Sequence, residues 1–306
     1  MIFIITLLTG CKGINRDPYA DTPTTGRITI GVDESFRPIL EAELMVFHGL
    51  YHYAEIQSRY LPEQMAVQLL LGDSVRLVVV SRLLKKEEKD FFRHKDLFPR
   101  ELKIATDAVA LVIHPDNPDN LLAMHDFQRI MTGEISQWSQ VNPANRSGSI
   151  EVIFDNQQSS TVRFIHDSIC SGKDFSKHLY ALEQNLDVVD YVAKHENALG
   201  LIGVSWISDM DDTTQLSFLK KINVLALSRE EKATWENSYQ PFQAYISDGS
   251  YPLTRDIYAI STEPRNGLAT GFMAFLASDK GQRIILKAGI LPAQAPVRIV
   301  RVKDHL

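Results

Sequence analysis

The stretch Ile150-Glu-Val-Ile-Phe-Asp-Asn-Gln-Gln-Ser-Ser-Thr-Val-Arg-Phe-Ile-His166 carries an apolar run, then a polar cluster, then an amphipathic run. The composition of Ile150–Phe154 predicts a buried strand, and the apolar spacing from Thr161 onward predicts a helix. Ser159, Ser160 and Thr161 stand where that helix begins, and serine and threonine are preferred N-cap residues. Because a helix N-terminus offers free N–H groups and a partial positive charge, this turn predicts an anion-binding position that needs no basic residue.

A second turn of the same kind lies at Gly31-Val-Asp-Glu-Ser-Phe-Arg-Pro-Ile39, where a strand gives way to a helix with Pro38 in its first turn. Two such helix starts on facing halves of a molecule would grip one small anion, and the serine and threonine hydroxyls would add hydrogen bonds.

Outward from these turns, short β-branched runs alternate with helical patterns, which is typical of α/β layering. The predicted strands are 27–32, 75–81, 103–113, 150–154, 199–204, 222–227 and 256–261, and the predicted helices are 39–53, 63–71, 85–92, 122–132, 161–171, 188–194 and 267–288, with a break near Asp279.

Several stretches in order along the chain share the pattern of one family: Gly31–Ile39, Val80-Ser-Arg-Leu-Leu-Lys85, Met131-Thr-Gly-Glu-Ile-Ser-Gln-Trp138, Ser159-Ser-Thr161, Asn197-Ala-Leu-Gly-Leu-Ile-Gly203, Tyr251-Pro-Leu-Thr-Arg255 and Phe272–Gly281. Together they resemble the substrate-binding component of phosphate-type ABC importers. The resemblance implies a two-lobed α/β fold, the type II periplasmic binding protein, with a ligand cleft between lobes joined by two hinge strands.

The resemblance also implies the domain organisation. Crossings between lobes are expected at Lys103–Ile113 and Gly249–Thr262. Lobe 1 would then comprise residues 27–105 plus 250–306, with residues 106–249 inserted as lobe 2. Such lobes close around a small ligand by a hinge motion.

By carry-over from the family, the ligand-binding candidates are Ser35, Phe36, Ser81, Arg82, Ser159, Ser160, Thr161 and Arg163. The serines and the threonine are also ordinary helix-capping residues, and each arginine is equally well explained as half of a surface ion pair. The sequence alone leaves both roles open for these residues, ligand binding and structural support.

The chain departs from the family pattern at three places. Asp155 stands where phosphate binders commonly carry an arginine, and Arg163 or Arg82 is its expected partner. Ser160 replaces the glycine of the Ser-Gly-Thr triplet, and Arg59-Tyr-Leu-Pro-Glu63 replaces a loop rich in glycine and serine. An acidic group accepts the proton of a protonated oxyanion but repels a fully ionised one.

The N-terminal residues predict the cellular localisation of the protein. Residues 1–11 have the length of a signal-peptide apolar region, and Leu8-Thr-Gly-Cys11 resembles the bacterial lipobox, in which the cysteine is lipidated. Residues 12–26 then read as a flexible tether. The alternative is a buried N-terminal strand with a chance cysteine.

Composition limits the function. The 306 residues are 44% hydrophobic and 23% charged with a net charge of −6, which argues against a broad nucleic-acid footprint. His48 and His52 lie one helical turn apart but lack further ligands, so no metal is expected, and neither a cofactor nor catalysis is demanded.

The sequence therefore predicts a monomeric, lipid-anchored extracytoplasmic protein that captures a small oxyanion, phosphate foremost, and delivers it to an ABC permease. Two alternatives remain: the same fold binding another oxyanion or a small carboxylated metabolite, and a sensor or interaction lipoprotein without a transport role.

Overall fold

A computed structural model describes residues 17–208 and 219–294. The predicted signal segment and the lipidation site Cys11 lie outside the described residues. None of the helices within the described ranges is long and apolar enough to span a bilayer.

The strands are β1 (Gly26–Asp33), β2 (Ala54–Leu61), β3 (Leu77–Val80), β4 (Arg100–Ile113), β5 (Leu121–Ala123), β6 (Glu151–Phe154), β7 (Leu179–Ala181), β8 (Ala198–Gly203), β9 (Asn223–Val224), β10 (Ala226–Ser228), β11 (Ser238–Tyr239), β12 (Thr254–Ser261) and β13 (Leu291–Pro292). The α-helices are α1 (Arg37–Leu50), α2 (Glu63–Leu71), α3 (Lys86–Arg93), α4 (Met124–Thr132), α5 (Trp138–Val141), α6 (Ser160–Phe164), α7 (Asn185–Val192), α8 (Gln243–Ser247), α9 (Leu268–Ala277) and α10 (Asp279–Lys287). Short 3-10 turns lie at Glu34–Phe36 and Val204–Trp206, and a π-helical turn follows α6 at Ile165–Ile169.

One curled sheet has the strand order β2-β1-β3-β12-β4-β8-β6-β7, with β9 and β13 also paired to β4. Strand β1 is parallel to β2 and β3, while β12 is antiparallel to β3 and β4. We call β1–β3 and β12 with helices α1–α3, α9 and α10 lobe 1, and β5–β8 with α4–α7 lobe 2.

Strand β4 belongs to both lobes. Its residues Arg100–Ala108 pair with β12, and its residues Val109–Ile113 pair with β8. The run Ala108–Ile113 is fully buried, which explains why so long an apolar strand occurs here. The return segment is fixed to β4 because the Val109 N–H donates to the Leu253 carbonyl at 2.8 Å, after which β12 pairs with β3 and β4.

Residues 17–26 differ from the expected flexible tether, because they pack on lobe 1. The Asp21 carboxylate accepts the Leu268 N–H at 2.9 Å at the start of α9, and the Arg27 guanidinium lies 3.9 Å from the Tyr19 ring centroid. A Cβ on Gly271 would overlap the Pro23 carbonyl oxygen, so helix α9 and this segment are in direct backbone contact.

Candidate ligand-binding site

The two predicted turns meet between the lobes. The 3-10 turn after β1 is capped by Asp33, whose carboxylate accepts the Ser35 N–H at 3.1 Å. Helix α6 is capped by Ser159, whose hydroxyl accepts the Val162 N–H at 3.3 Å. Across the gap, the Ser35 hydroxyl lies 3.5 Å from Asp155 Oδ2. The helix starts of the two lobes are therefore neighbours, as the sequence predicted.

Arg255 of β12 is the cation at the centre of this junction, and it is only 5% exposed. Its Nη1 donates to Ser160 Oγ at 2.8 Å and to Thr161 Oγ1 at 3.2 Å. Its Nε and Nη2 donate to Asp107 Oδ2 at 3.2 and 3.0 Å. The guanidinium also lies 5.0 Å from the ring centroid of Phe36, within the range of a cation–π contact. Arg255 thus joins predicted site residues of both lobes.

Gly203 at the end of β8 allows the lobes to approach at this point. A Cβ there would lie 3.2 Å from the Ser35 carbonyl oxygen and 3.3 Å from Arg255 Nη2. The Ser35 carbonyl is held from the same side, because it accepts the Ser205 hydroxyl at 3.0 Å and the Trp206 indole N–H at 3.1 Å. A side chain at position 203 would crowd the junction.

Four acidic residues surround the junction, namely Asp33, Glu34, Asp107 and Asp155, and all are buried. Asp155 Oδ1 accepts the Ser159 hydroxyl at 2.6 Å, and the Asn185 amide donates to Asp155 Oδ2 at 3.4 Å and to Glu34 Oε2 at 2.6 Å. The expected pairing of Asp155 with Arg163 or Arg82 is wrong, because both arginines lie beside other carboxylates.

The junction holds more acceptors than donors. Within the described part of the chain, Asp33 Oδ2, Glu34 Oε1 and Asp107 Oδ1 are buried without a hydrogen-bond partner. Burial raises the pKa of Asp33 to about 7, and the nearby charge of Glu63 acts in the same direction. Burial also raises the pKa of Glu34 to about 7. A ligand that donates hydrogen bonds would satisfy these oxygens.

An inner cavity of about 290 Å³ opens beside the junction, and residues of both lobes line it. Asp33 and Glu34 contribute from lobe 1, and Asp155 and Ser159 contribute from lobe 2, with the basic residue Arg37 at the same cavity. The cavity therefore touches the acidic side of the junction.

The remaining predicted residues form a second group. Ser81 lies directly after β3 and donates its N–H and its hydroxyl to Glu63 Oε1 at 2.8 and 2.9 Å. Arg163 of α6 donates Nε to Glu63 Oε2 at 2.5 Å and Nη2 to Ser81 Oγ at 2.7 Å. Arg82 instead forms a two-bond ion pair with Glu88, at 2.7 Å for each bond. The eight predicted residues thus fall into two clusters, and Arg82 lies at the edge of the second, with its Nε 3.9 Å from Glu63 Oε2.

The family assignment follows from the match of the chain to known proteins. The sequence model of the PBP superfamily domain matches residues 17–280. The chain belongs to the PBP superfamily. This confirms the predicted family and its two-lobed α/β fold.

Relatives of this PBP superfamily chain include two phosphate-binding proteins named PstS. That of Staphylococcus saprophyticus is 28% identical over 209 residues, which cover 66% of this chain and 60% of the relative. That of Pseudomonas aeruginosa is 22% identical over 274 residues, covering 84% of this chain and 80% of the relative. The chain thus spans about three-fifths of the length of the first of these relatives.

Solved structures share the fold of this PBP superfamily chain at low identity. A putative phosphate ABC transporter substrate-binding protein with bound phosphate from Clostridium perfringens superposes with a TM-score of 0.73 at 20% identity, covering 88% of this chain and 100% of the other. An ABC-type phosphate transport receptor from Vibrio cholerae gives 0.65 at 18% identity, covering 87% and 100%. At these identities the likeness shows the fold.

Sequence reasoning on this PBP superfamily chain missed three polar residues that organise the two clusters. Arg255 stood at the end of the Tyr251–Arg255 stretch, so its signal was present but was used only for the resemblance. Glu63 was noted only as the end of a replaced loop and the start of a predicted helix, and Asn185 carried no signal because it precedes the helix predicted at 188–194. Each contacts groups more than 15 positions away, which only the tertiary structure brings together.

Proposed function

We propose that this chain is an extracytoplasmic substrate-binding protein that captures a small oxyanion, phosphate foremost, for an ABC importer. The observation that carries the proposal is the convergence of the hydroxyls of Ser160 and Thr161 on Arg255, with the Ser35 turn of the other lobe beside them. The PstS names of its relatives support phosphate as the anion.

The chemistry of the junction favours a protonated oxyanion. Arg255 supplies positive charge in a buried place, where charge-assisted hydrogen bonds to an anion are strong. The unpartnered oxygens of Asp33 and Glu34 would accept the O–H groups of a phosphate that still carries a proton. Sulfate carries no proton near neutral pH, so above pH 7, where Asp33 and Glu34 are mostly ionised, the same acids would select against it.

In this proposal the ligand contacts both lobes, so it binds the closed form better and shifts the population toward it. Lobe 1 would comprise residues 27–105 plus 250–306, and lobe 2 residues 106–249. Of the predicted ligand-binding residues, Ser35, Phe36, Ser159, Ser160 and Thr161 would hold the ligand together with Arg255, and Ser81, Arg82 and Arg163 would lie beside it. The protein would act as a monomer anchored through a lipidated Cys11, its permease would recognise the closed form, and no catalysis is involved.

A second candidate keeps the fold and changes the ligand to a small carboxylated metabolite that also bears an ammonium group. The specific observation in its favour is the inner cavity, whose volume of about 290 Å³ exceeds what a phosphate ion needs and whose walls include Asp33, Glu34 and Asp155. The ammonium group would pair with these acids while the carboxylate met Arg37, the basic residue of the same cavity.

Thermal unfolding and calorimetric titration with phosphate, sulfate and a panel of small amino acids test both candidates. Phosphate should raise the melting temperature, since a ligand of the native state stabilises it. The double variant Ser160→Ala, Thr161→Ala should bind phosphate at least about tenfold more weakly, because two hydroxyls around a buried guanidinium are lost.

Ser278→Ala is the matched control, because Ser278 caps α10 by accepting the Gly281 N–H at 3.3 Å and touches neither cluster. It should bind phosphate as the unchanged chain does. An amino acid that binds in place of phosphate would select the second candidate. The absence of any response to the whole panel, or equal phosphate affinity in the double variant, would contradict the proposal.

A further inference from the structure

Glu63 is a buried carboxylate enclosed by donors at the first residue of α2, and its side chain is only 3% exposed. Oε1 accepts two bonds from Ser81, one from the backbone N–H and one from the hydroxyl, and a longer one from Arg163 Nη2 at 3.4 Å. Oε2 accepts from Arg163 Nε and lies 3.9 Å from Arg82 Nε. Both carboxylate oxygens therefore have partners.

This donor set has the composition of a binding position for a free oxyanion. A guanidinium fork, a hydroxyl and a backbone N–H are the groups that proteins use to hold carboxylate and phosphate. The donors come from both sides of the cleft, because Ser81 follows β3 of lobe 1 and Arg163 belongs to α6 of lobe 2. Here the anion they hold is a side chain of the protein.

We infer that Glu63 is a tethered anion that fills an anion-binding position formed by Ser81 and Arg163, and that it thereby closes this position to free ligands. The position borders a groove of about 460 Å³ between the lobes. Three basic residues, Arg82, Lys85 and Arg163, are among those that line this groove. Without Glu63, the Arg163 guanidinium would face the groove with only the more distant Asp167 carboxylate, at 4.0 Å, beside it. Glu63 is thus a specificity-determining residue, since it restricts the cleft to the junction around Arg255.

Two variants at position 63 should respond differently to free anions. Glu63→Ala removes the tethered anion and leaves room beside Arg163, so a small free carboxylate should enter and stabilise the fold. Glu63→Gln removes the charge but keeps the volume, so no free anion should enter. The comparison of these two variants separates refilling of the position from a general effect of salt.

The experiment measures the melting temperature of the full chain against rising sodium formate, acetate or phosphate, with sodium chloride at equal ionic strength as the reference. Glu63→Ala should melt below the unchanged chain in chloride and should recover in a saturable way with formate and acetate. Glu63→Gln should respond as the unchanged chain does. Glu55→Ala is the matched control, because it unpairs Arg27 of β1, which lies outside the groove, and should show no recovery.

Equal shifts of the melting temperature of Glu63→Ala and Glu63→Gln in formate and acetate would overturn the inference. Should Glu63→Ala not fold in chloride, recovery of the folded state in acetate would support it. If acetate fails while the double variant Glu63→Ala, Arg163→Ala folds, the position does not accept a free anion and the inference is wrong. The phosphate response of the unchanged chain tests the proposed function separately, so the two failures are distinguishable.

Discussion

At the scale of single residues, Glu43 is a buried acid that the ligand-binding junction does not use. It lies on α1 with no exposed surface, and neither of its carboxylate oxygens has a hydrogen-bond partner within residues 17–208 and 219–294. Burial raises the pKa of Glu43 from 4.5 to about 9. The folded state therefore retains a proton that the unfolded chain loses, and Glu43 reduces stability progressively as the pH rises from about 4.5 to 9.

We expect Glu43→Gln to flatten this dependence. The unchanged chain should lose stability relative to the variant by up to about 1.4 kcal/mol per pH unit within the window, because there the folded state holds up to one proton more than the unfolded chain. Urea unfolding at pH 5 and pH 8 measures the difference. Glu41→Gln on the same helix is the control, since Glu41 is an exposed ion-pair partner of Arg37 and should change stability by less than about 1 kcal/mol. Parallel pH profiles of Glu43→Gln and the unchanged chain would contradict the assignment.

Part of the ligand-binding site could be predicted from individual residues of the sequence. Ser35 and Thr161 were identified because serine and threonine at a strand-to-helix turn follow local rules that the sequence displays directly. The partners of Arg163 were not predictable, because Glu63 lies 100 positions away and only the approach of the two lobes brings the start of α2 near α6. Local rules place the donors, whereas tertiary contacts decide which acceptor each donor meets.

At the scale of secondary-structure elements, strand β8 shows how tightly lobe 2 is packed. Gly200 lies in the middle of this fully buried strand. A Cβ at this position would meet Val192 at 2.7 Å, Val112 at 2.8 Å and Val188 at 3.0 Å. Two of these valines belong to α7 and the third to β4, so the glycine lets the helix lie directly on the sheet.

Gly200→Ala should therefore destabilise the chain by about 1–3 kcal/mol, the usual cost of overpacking a core. The double variant Gly200→Ala, Val192→Ala should recover part of the loss, because it removes the nearest methyl groups. Gly49→Ala is the control, since nothing lies within 4 Å of a Cβ there and alanine is the better helix former. Guanidinium unfolding measures all three, and an unchanged midpoint for Gly200→Ala would contradict the packing described.

Most elements were predictable because their hydrophobic period is clear. The strand predicted at 103–113 is β4, and the break expected near Asp279 falls at Ser278, between α9 and α10. Strand β2 was missed, because Ala54–Leu61 carries Glu, Gln, Ser and Arg on a half-exposed strand that pairs only with β1. The strand predicted at 222–227 divides into β9 and β10, which pair in different sheets. Pairing partners are tertiary information that a short apolar run does not contain.

At the scale of the whole molecule, the contact between the lobes depends on acids that are protonated more easily than usual. Asn185 of lobe 2 donates to Glu34 of lobe 1 at 2.6 Å and also contacts Asp155 at 3.4 Å. Burial raises the pKa of Glu34 to about 7, and the Asn185 hydrogen bond partly opposes this rise. Because its pKa is higher in the folded state, Glu34 contributes most to stability below the unfolded pKa of about 4.5, and this contribution declines as the pH rises through 7. The hydrogen bond from Asn185 limits the loss.

The loss of folding stability on replacing Asn185 should increase with pH. Below pH 6, Asn185→Ala loses a hydrogen bond to a neutral acid and should cost about 1 kcal/mol, whereas at pH 8.5 it loses a donor to an ionised carboxylate and should cost about 1.5–3 kcal/mol. Urea unfolding at both pH values measures the cost. Asn197→Ala is the control, because the Asn197 amide donates to the Ser149 carbonyl within lobe 2 at 2.9 Å, and its cost should be independent of pH. The cost of Asn185→Ala could instead stay constant or shrink between pH 6 and 8.5. Glu34 would then not be ionised beside Asn185 in the folded protein, and the acids between the lobes would not contribute to the pH dependence of its stability.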